Sequence, residues 1–300
     1  SAPTGNGGEP IELYTVRSSP GNMLATTTPF GMTGKIVTDM EPSEREWLYD
    51  LVKDASGRLV GVGSVEQGSN DALLLVRYTS YGSLDKTFGV NGISTVSFSS
   101  EIAVGRSVII DDQSRIIVAG RAGSHDDDSS FDWAIARFTP DGILDTTFGD
   151  NGTILTDFYS DMDTAYELVN DPSGRIYVVG SAYHNVDLKQ RGILARYLEN
   201  GILDTTFGNG GFIDLGYGQG FKNEFYTVFF DSNGRIIIGG YTECCGSRDA
   251  ISYRFDPESG ALDLNYGVSG TLLVETPGTD NQFWKGAIDS EGRIIMIDMN

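Results

Sequence analysis

The sequence predicts an all-β protein, a five-bladed β-propeller of four-stranded antiparallel blades, on three observations. First, 39 of the 300 residues are Gly, without a collagen-like triplet, a usage that suits many tight turns between short strands. Second, short runs rich in β-branched and aromatic residues alternate with Gly, Asn, Asp and Ser clusters, and no stretch holds a convincing helical period. Third, the chain repeats itself: Arg58, Arg115, Arg175, Arg235 and Arg293 stand 57, 60, 60 and 58 residues apart, and a fixed period is the mark of a repeat architecture.

Each of these Arg residues sits in one string of an acid, a small-residue turn, the Arg and an apolar strand, as in residues 171–180 (DPSGRIYVVG), with copies at 54–63, 111–120, 231–240 and 289–298. A second string follows at 78–92, 138–152, 197–211 and 255–270, and a degraded copy at 19–34 keeps Leu24, Thr27 and Phe30 but lacks the Asp. In the third unit the strands are expected over 163–170, 175–182, 190–198 and 212–216. The turn Pro172-Ser173-Gly174 after an acid has hairpin chemistry: a preset φ, a local cap and a position that tolerates positive φ. Because the chain is cut inside a repeat, the last blade is expected to be shared by residues 11–40 and 271–300. Residues 11–17 and 35–40 would supply its outer strands, and 282–288 and 293–298 its inner strands, so that the ring has no open edge. Residues 1–10 are expected to be a flexible segment ahead of a single domain over 11–300.

Residues 141–149 (DGILDTTFG), echoed at 201–208, resemble the delta-60 repeat of secreted bacterial proteins, and the resemblance runs over nearly all of 11–300. It implies a propeller fold and a secreted or cell-surface bacterial setting. It implies no activity and no catalytic residues, because propellers host enzymes, lectins and scaffolds alike.

Composition narrows the partners. Asp and Glu number 42 against 21 Lys and Arg, a net charge of −21, which repels phosphate backbones and anionic lipid surfaces. No basic patch offsets it, so nucleic acid and membrane insertion are excluded as partners. No apolar run approaches the ~18 residues of a transmembrane helix, and the chain opens at Ser1 without a charged, apolar leader, as a mature or trimmed form would.

The repeated Asp85, Asp145, Asp204 and Asp263 read as turn caps, with Phe88, Phe148, Phe207 and Tyr266 plugging the core. A repeated calcium or sugar site is the sharper alternative, and Ala25 in the first copy counts against it. Arg58 and its equivalents read as partners of Asp54 and its equivalents. Functional residues are expected where the loops escape the repeat, at 121–131, 181–190 and 241–249 and in the links between blades, which share one face. There Glu46, Glu101, Asp163 and Glu224 could furnish the paired carboxylates of a glycoside hydrolase. Tyr49, Arg106, Tyr166, Tyr226 and Trp284, each five residues before a repeated acid, occupy equivalent inner-strand positions. They would form an axial ring or wedges between neighbouring blades, packing as core or stacking on a sugar, while Tyr241 and Arg248 would lie beside Cys244 and Cys245 at the ligand site. Asp126, Asp127, Asp128 and Asp132 could hold Ca²⁺ through carboxylate oxygens, or form a solvated acidic loop; no other cofactor is expected. Cys244 and Cys245 are the only cysteines, and in a secreted chain they are expected to form a vicinal disulfide shaping the ligand site. Two histidines, with no nucleophile placed beside either, leave triad chemistry without support. The expectation is a secreted, non-enzymatic binding or adhesion propeller presenting its irregular face to a glycan or surface protein, alone or within a larger surface assembly. The alternative is a five-bladed glycoside hydrolase.

Overall fold

The computed structural model describes residues 45–298 apart from 126, 128–129, 187, 217–221, 245–246 and 275–279. The strands expected at 11–17 and 35–40, and the segment 1–10, lie outside the described residues. The described chain is all β, in four four-stranded units and a two-stranded one. The first unit is β1 (Glu46–Lys53), β2 (Leu59–Gln67), β3 (Asn70–Tyr78) and β4 (Ile93–Val96); the second is β5 (Ile102–Ile110), β6 (Ile116–Gly123), β7 (Asp132–Phe138) and β8 (Thr153–Thr156). The third is β9 (Asp163–Asn170), β10 (Ile176–His184), β11 (Lys189–Tyr197) and β12 (Phe212–Asp214); the fourth is β13 (Lys222–Phe230), β14 (Ile236–Cys244), β15 (Ser247–Phe255) and β16 (Thr271–Val274). β17 (Phe283–Ile288) and β18 (Ile294–Asp298) form the last hairpin. Within a unit each strand pairs antiparallel with the next, while single parallel pairs, Asp71 with Ile102 and Gln190 with Lys222, tack one unit to another.

The first repeated string makes the inner hairpin. Asp54 Oδ1 accepts from the Ser56 and Arg58 N–H groups, and Oδ2 accepts from Arg58 Nε at 2.6 Å. Asp111, Asp171, Asp231 and Asp289 hold Arg115, Arg175, Arg235 and Arg293 in the same way. One carboxylate thus satisfies the donors a tight turn would leave unpaired.

The core is a series of seams between units. Val62, Leu73 and Leu75 close on Ala103, Val108 and Val118; Ile117 and Ile135 on Leu168 and Val178; Tyr177 and Leu194 on Phe225, Val228 and Ile238. Since each face of a blade is covered by the next, these strands are apolar on both sides rather than alternating.

The second string supplies the lock across each seam. Asp85 Oδ1 accepts from the Thr87 N–H and hydroxyl, and Oδ2 accepts from Nε of buried Arg77 at 2.8 Å. Arg77 lies over the Phe88 ring at 4.6 Å and donates onward to the Pro140 carbonyl of the next unit. Arg137 with Asp145, Phe148 and the Glu199 carbonyl, and Arg196 with Asp204, Phe207 and the Pro257 carbonyl, repeat it. Burial pushes the Asp85 carboxyl up, but the Thr87 hydrogen bonds and the Arg77 charge outweigh it and hold the group below the usual carboxylate range, as at Asp145 and Asp204.

Phe88 in turn packs against a turn of the next unit, where Gly142 has φ +79° and an added Cβ would lie 2.6 Å from the ring. Gly142→Ala therefore meets both a left-handed backbone and a filled seam. It is expected to destabilise the protein by about 3 kcal/mol, read as a lower urea midpoint at unchanged m-value.

Candidate functional site

The five innermost strands share an irregularity that aims one side chain out of each. The ladder skips one residue between Leu48 and Asp50, between Gly105 and Ser107, between Ala165 and Glu167, between Phe225 and Thr227, and between Phe283 and Lys285. The skipped residues are Tyr49, Arg106, Tyr166, Tyr226 and Trp284, each the extra residue of a β-bulge. In four of the five, the neighbouring strand makes room for the bulge. At Gly63, Gly120, Gly180 and Gly240 an added Cβ would stand 1.6 to 2.1 Å from the carbonyl oxygens of Trp47, Val104, Thr164 and Glu224. The bulged backbone can press this close only where no side chain intervenes.

The five residues form a continuous arc. The Arg106 guanidinium lies over the rings of Tyr49 at 5.0 Å and Tyr166 at 5.7 Å. Tyr166 meets Tyr226 edge-on at 4.8 Å, and Tyr226 stacks on Trp284 at 4.3 Å with 4° between the planes. Tyr49 is 47% exposed, whereas Arg106, Tyr166 and Trp284 are half-buried and Tyr226 is buried. Beneath the arc Glu224 accepts from the hydroxyls of Tyr226 at 2.7 Å and Tyr166 at 3.1 Å, and pairs with Lys222 at 2.9 Å. Burial, and after it the Glu224 charge, raises both phenols far above their ordinary range, so both stay protonated donors. Tyr241 is fully buried, with Arg248 over its ring at 4.6 Å and Tyr226 tilted against it at 5.9 Å. It underlies the site rather than facing it.

The four carboxylates considered for hydrolysis are engaged separately. Glu101 accepts from the Ser124 hydroxyl and the His125 N–H, which hold it below its usual range. Glu224 serves the two tyrosines, and Glu46 is the first residue of β1. Asp163 is fully buried, with Oδ2 accepting the Phe158 N–H at 2.8 Å. Burial, together with Asp157, Asp132 and Asp161, pushes its carboxyl up to about 8. Among the acids considered for Ca²⁺, Asp126 and Asp128 lie outside the described residues. The Asp127 carbonyl accepts from Ser130, and Asp132 stands with Asp157 and Asp163 instead. Cys244 ends β14 opposite Ser247, and the turn that holds Cys245 lies outside the described residues.

Two features escaped the sequence reading. Arg77, Arg137 and Arg196 carry the seam locks, and Arg254 holds Asp263 and Tyr266 within its own unit; their signal was present as an Arg directly before the aromatic that opens four of the five copies of the second string. Asp157 had a signal too, since the residue five after the last glycine of each second string is Asp39, Ser97, Asp157, Gly216 and Glu275 in turn. Removing the Glu224 acceptor tests the floor of the arc. Glu224→Ala is expected to cost about 3 kcal/mol in chemical denaturation, because it strands two phenolic hydroxyls and Lys222, and Glu224→Gln about 1 kcal/mol, because an amide oxygen still accepts.

A family model described as "Domain of unknown function (DUF5122) beta-propeller" matches residues 55–88, 114–148 and 172–207, in each case from the inner hairpin turn to the seam phenylalanine. No curated protein sequence matches the chain. Among solved structures it is similar to a glucose dehydrogenase, with TM-score 0.48 at 10% identity over 85% of this chain and 78% of that one. It is also similar to a mannose phosphorylase from Leishmania mexicana in complex with phosphate ion, with TM-score 0.44 at 13% identity over 84% and 80%. An endo-arabinase from Bacteroides thetaiotaomicron gives TM-score 0.37 at 13% identity over 86% and 81%. Three consecutive units of this chain thus carry the β-propeller repeat that the family model describes.

Proposed function

We propose that this protein is a secreted, non-enzymatic binding propeller that takes a carbohydrate along the arc of Tyr49, Arg106, Tyr166, Tyr226 and Trp284. The observation that carries the reading is the arc itself: ring faces and one guanidinium in unbroken contact, drawn from five successive inner strands. Sugars present apolar C–H faces to such rings and hydroxyls to such donors. Among the described residues Arg106 contacts two tyrosine rings and no carboxylate, so its donors are uncommitted in a chain of net charge −21. A glycan array probed with the whole chain, followed by a reducing-sugar assay on every hit, tests the reading. Bound, uncleaved glycans are expected, with Tyr49→Ala and Arg106→Ala each lowering affinity at least about tenfold, or about 1.4 kcal/mol. Cleavage of the hits, or variants that bind as the parent does, would overturn it.

The same reading requires a closed five-bladed ring, with residues 11–40 completing the last blade. Trp47 and Leu51 are 41% and 48% exposed, whereas Val104 and Val108, one repeat later, are 7% and 4% exposed against the preceding unit. At the other end Ile295 is 48% exposed, whereas Ile237, in the same register of the fourth unit, is 0% exposed. That the first and last units each expose a face of the kind the other seams bury supports the closure. Leu51→Asp places a charge in that seam and is expected to cost about 3 kcal/mol, read as a lower urea midpoint. An unchanged midpoint would mean an open ring.

A further inference from the structure

The seam between the second and third units differs from the others in its acids. Asp132 opens β7, Asp163 opens β9, and Asp157 lies in the link that joins the two units. One carboxylate oxygen from each lies within 4.8 Å of those from the other two. Acids can gather on a surface without purpose, but Asp163 is fully buried, and while its Oδ2 accepts the Phe158 N–H, its Oδ1 is buried with no hydrogen-bond partner. Leaving a buried carboxyl oxygen unpaired is costly, and native structures rarely do it without use. Nor does the register demand an acid: two residues before the inner-strand residue that pairs with the bulge glycine, the second unit has Ala103 and the fourth neutral Asn223, while the first has Glu46.

We propose that Asp132, Asp157 and Asp163 together hold a divalent cation, Ca²⁺, which clasps the link between the second and third units to the start of β9. The donor set is oxygen only, which selects a hard cation over zinc or copper. Calcium takes six to eight oxygens at about 2.3–2.6 Å, so two ligands of one ion stand up to about 5 Å apart, and the triad meets that span. The walls suit an ion. Phe131 and Trp133 are buried, Phe158 packs edge-on against Trp133 at 4.8 Å, and the Asp163 N–H donates to the Phe131 carbonyl at 2.7 Å. Asp163 is shut off from water, which strengthens its attraction to a cation, while exposed Asp157 leaves the ion a way in. The charges that burden Asp163 after its burial are all carboxylates, Asp157, Asp132 and Asp161, and burial and Asp157 likewise raise Asp132. A bound dication turns that mutual repulsion into shared coordination.

The test uses the whole chain, stripped with a chelator and then titrated with CaCl₂, with MgCl₂ in parallel. One equivalent of Ca²⁺ is expected to bind by calorimetry, more tightly than Mg²⁺, and the melting temperature is expected to climb with the logarithm of Ca²⁺ concentration, as linkage requires. Asp163→Asn copies the side chain found at Asn223 and should melt in chelator at or above the parent's temperature while losing at least tenfold in Ca²⁺ affinity. Asp157→Asn, on an exposed residue, removes a charge that burdens Asp163, so it should lose affinity while melting in chelator at or above the parent's temperature, and it keeps the test decisive should the first variant not fold. A melt indifferent to millimolar Ca²⁺ would mean that the three acids share a proton instead, and undiminished binding in both variants would put the ion elsewhere. Either result overturns the proposal.

Discussion

The first three units are each joined to the next by a guanidinium that belongs to two units at once. Arg77, Arg137 and Arg196 are buried, and each is compensated by a carboxylate of its own second string, by an aromatic face and by a carbonyl of the following unit. Breaking one such buried pair by removing a partner costs about 3–5 kcal/mol, which outweighs any single surface contact. The lock also explains the second string as a whole. Its Asp fixes the Arg, its Thr fixes the Asp, its Phe takes the face of the Arg and fills the seam, and the glycine turn of the next unit leaves room for that Phe. A unit without its neighbour would expose both the ring and the charge, so the repeats are stable only together.

Against that rigid frame the bulges give the molecule its candidate site. Tyr49, Arg106, Tyr166, Tyr226 and Trp284 hold one equivalent position in five successive inner strands, and the skipped pairing at each takes the residue out of its ladder. The glycine that ends the first string makes room for the bulge, so a backbone requirement on the second strand decides the orientation of a side chain on the first. The copy at 289–298 ends in Asp298 instead, and the bulge persists there between Phe283 and Lys285. In that hairpin the bulge therefore does not depend on the glycine.

The excess of acid is distributed by role. The repeated acids of the two strings are paired with arginines and backbone N–H groups. Glu224 is committed to two phenols, and its charge holds them protonated. Among the described residues, buried Asp163 and half-buried Asp132 combine burial with carboxylate neighbours, and exposed Asp157 completes their group. The group sits in the link between the second and third units and at the strand starts on either side of it.

What the sequence by itself determined is the repeat, and with it the strands, hairpins and order of the units. The strands expected at 163–170 and 282–288 are found at Asp163–Asn170 and Phe283–Ile288, because local turn chemistry and apolar runs act within a few residues and leave a readable period. The five bulge positions were likewise legible as equivalents, five residues before an acid. That they touch in an arc was decided only by the tertiary structure, because a bulge arises from a close approach between two strands, and its pressure on Gly120 or Gly180 is felt across the ladder rather than along the chain. The onward contacts of the seam arginines and the Asp132–Asp157–Asp163 group were hidden for the same reason: Arg77 and Arg137 reach carbonyls 63 and 62 residues away, and Asp132 meets Asp157 and Asp163 only when one blade is laid against the next.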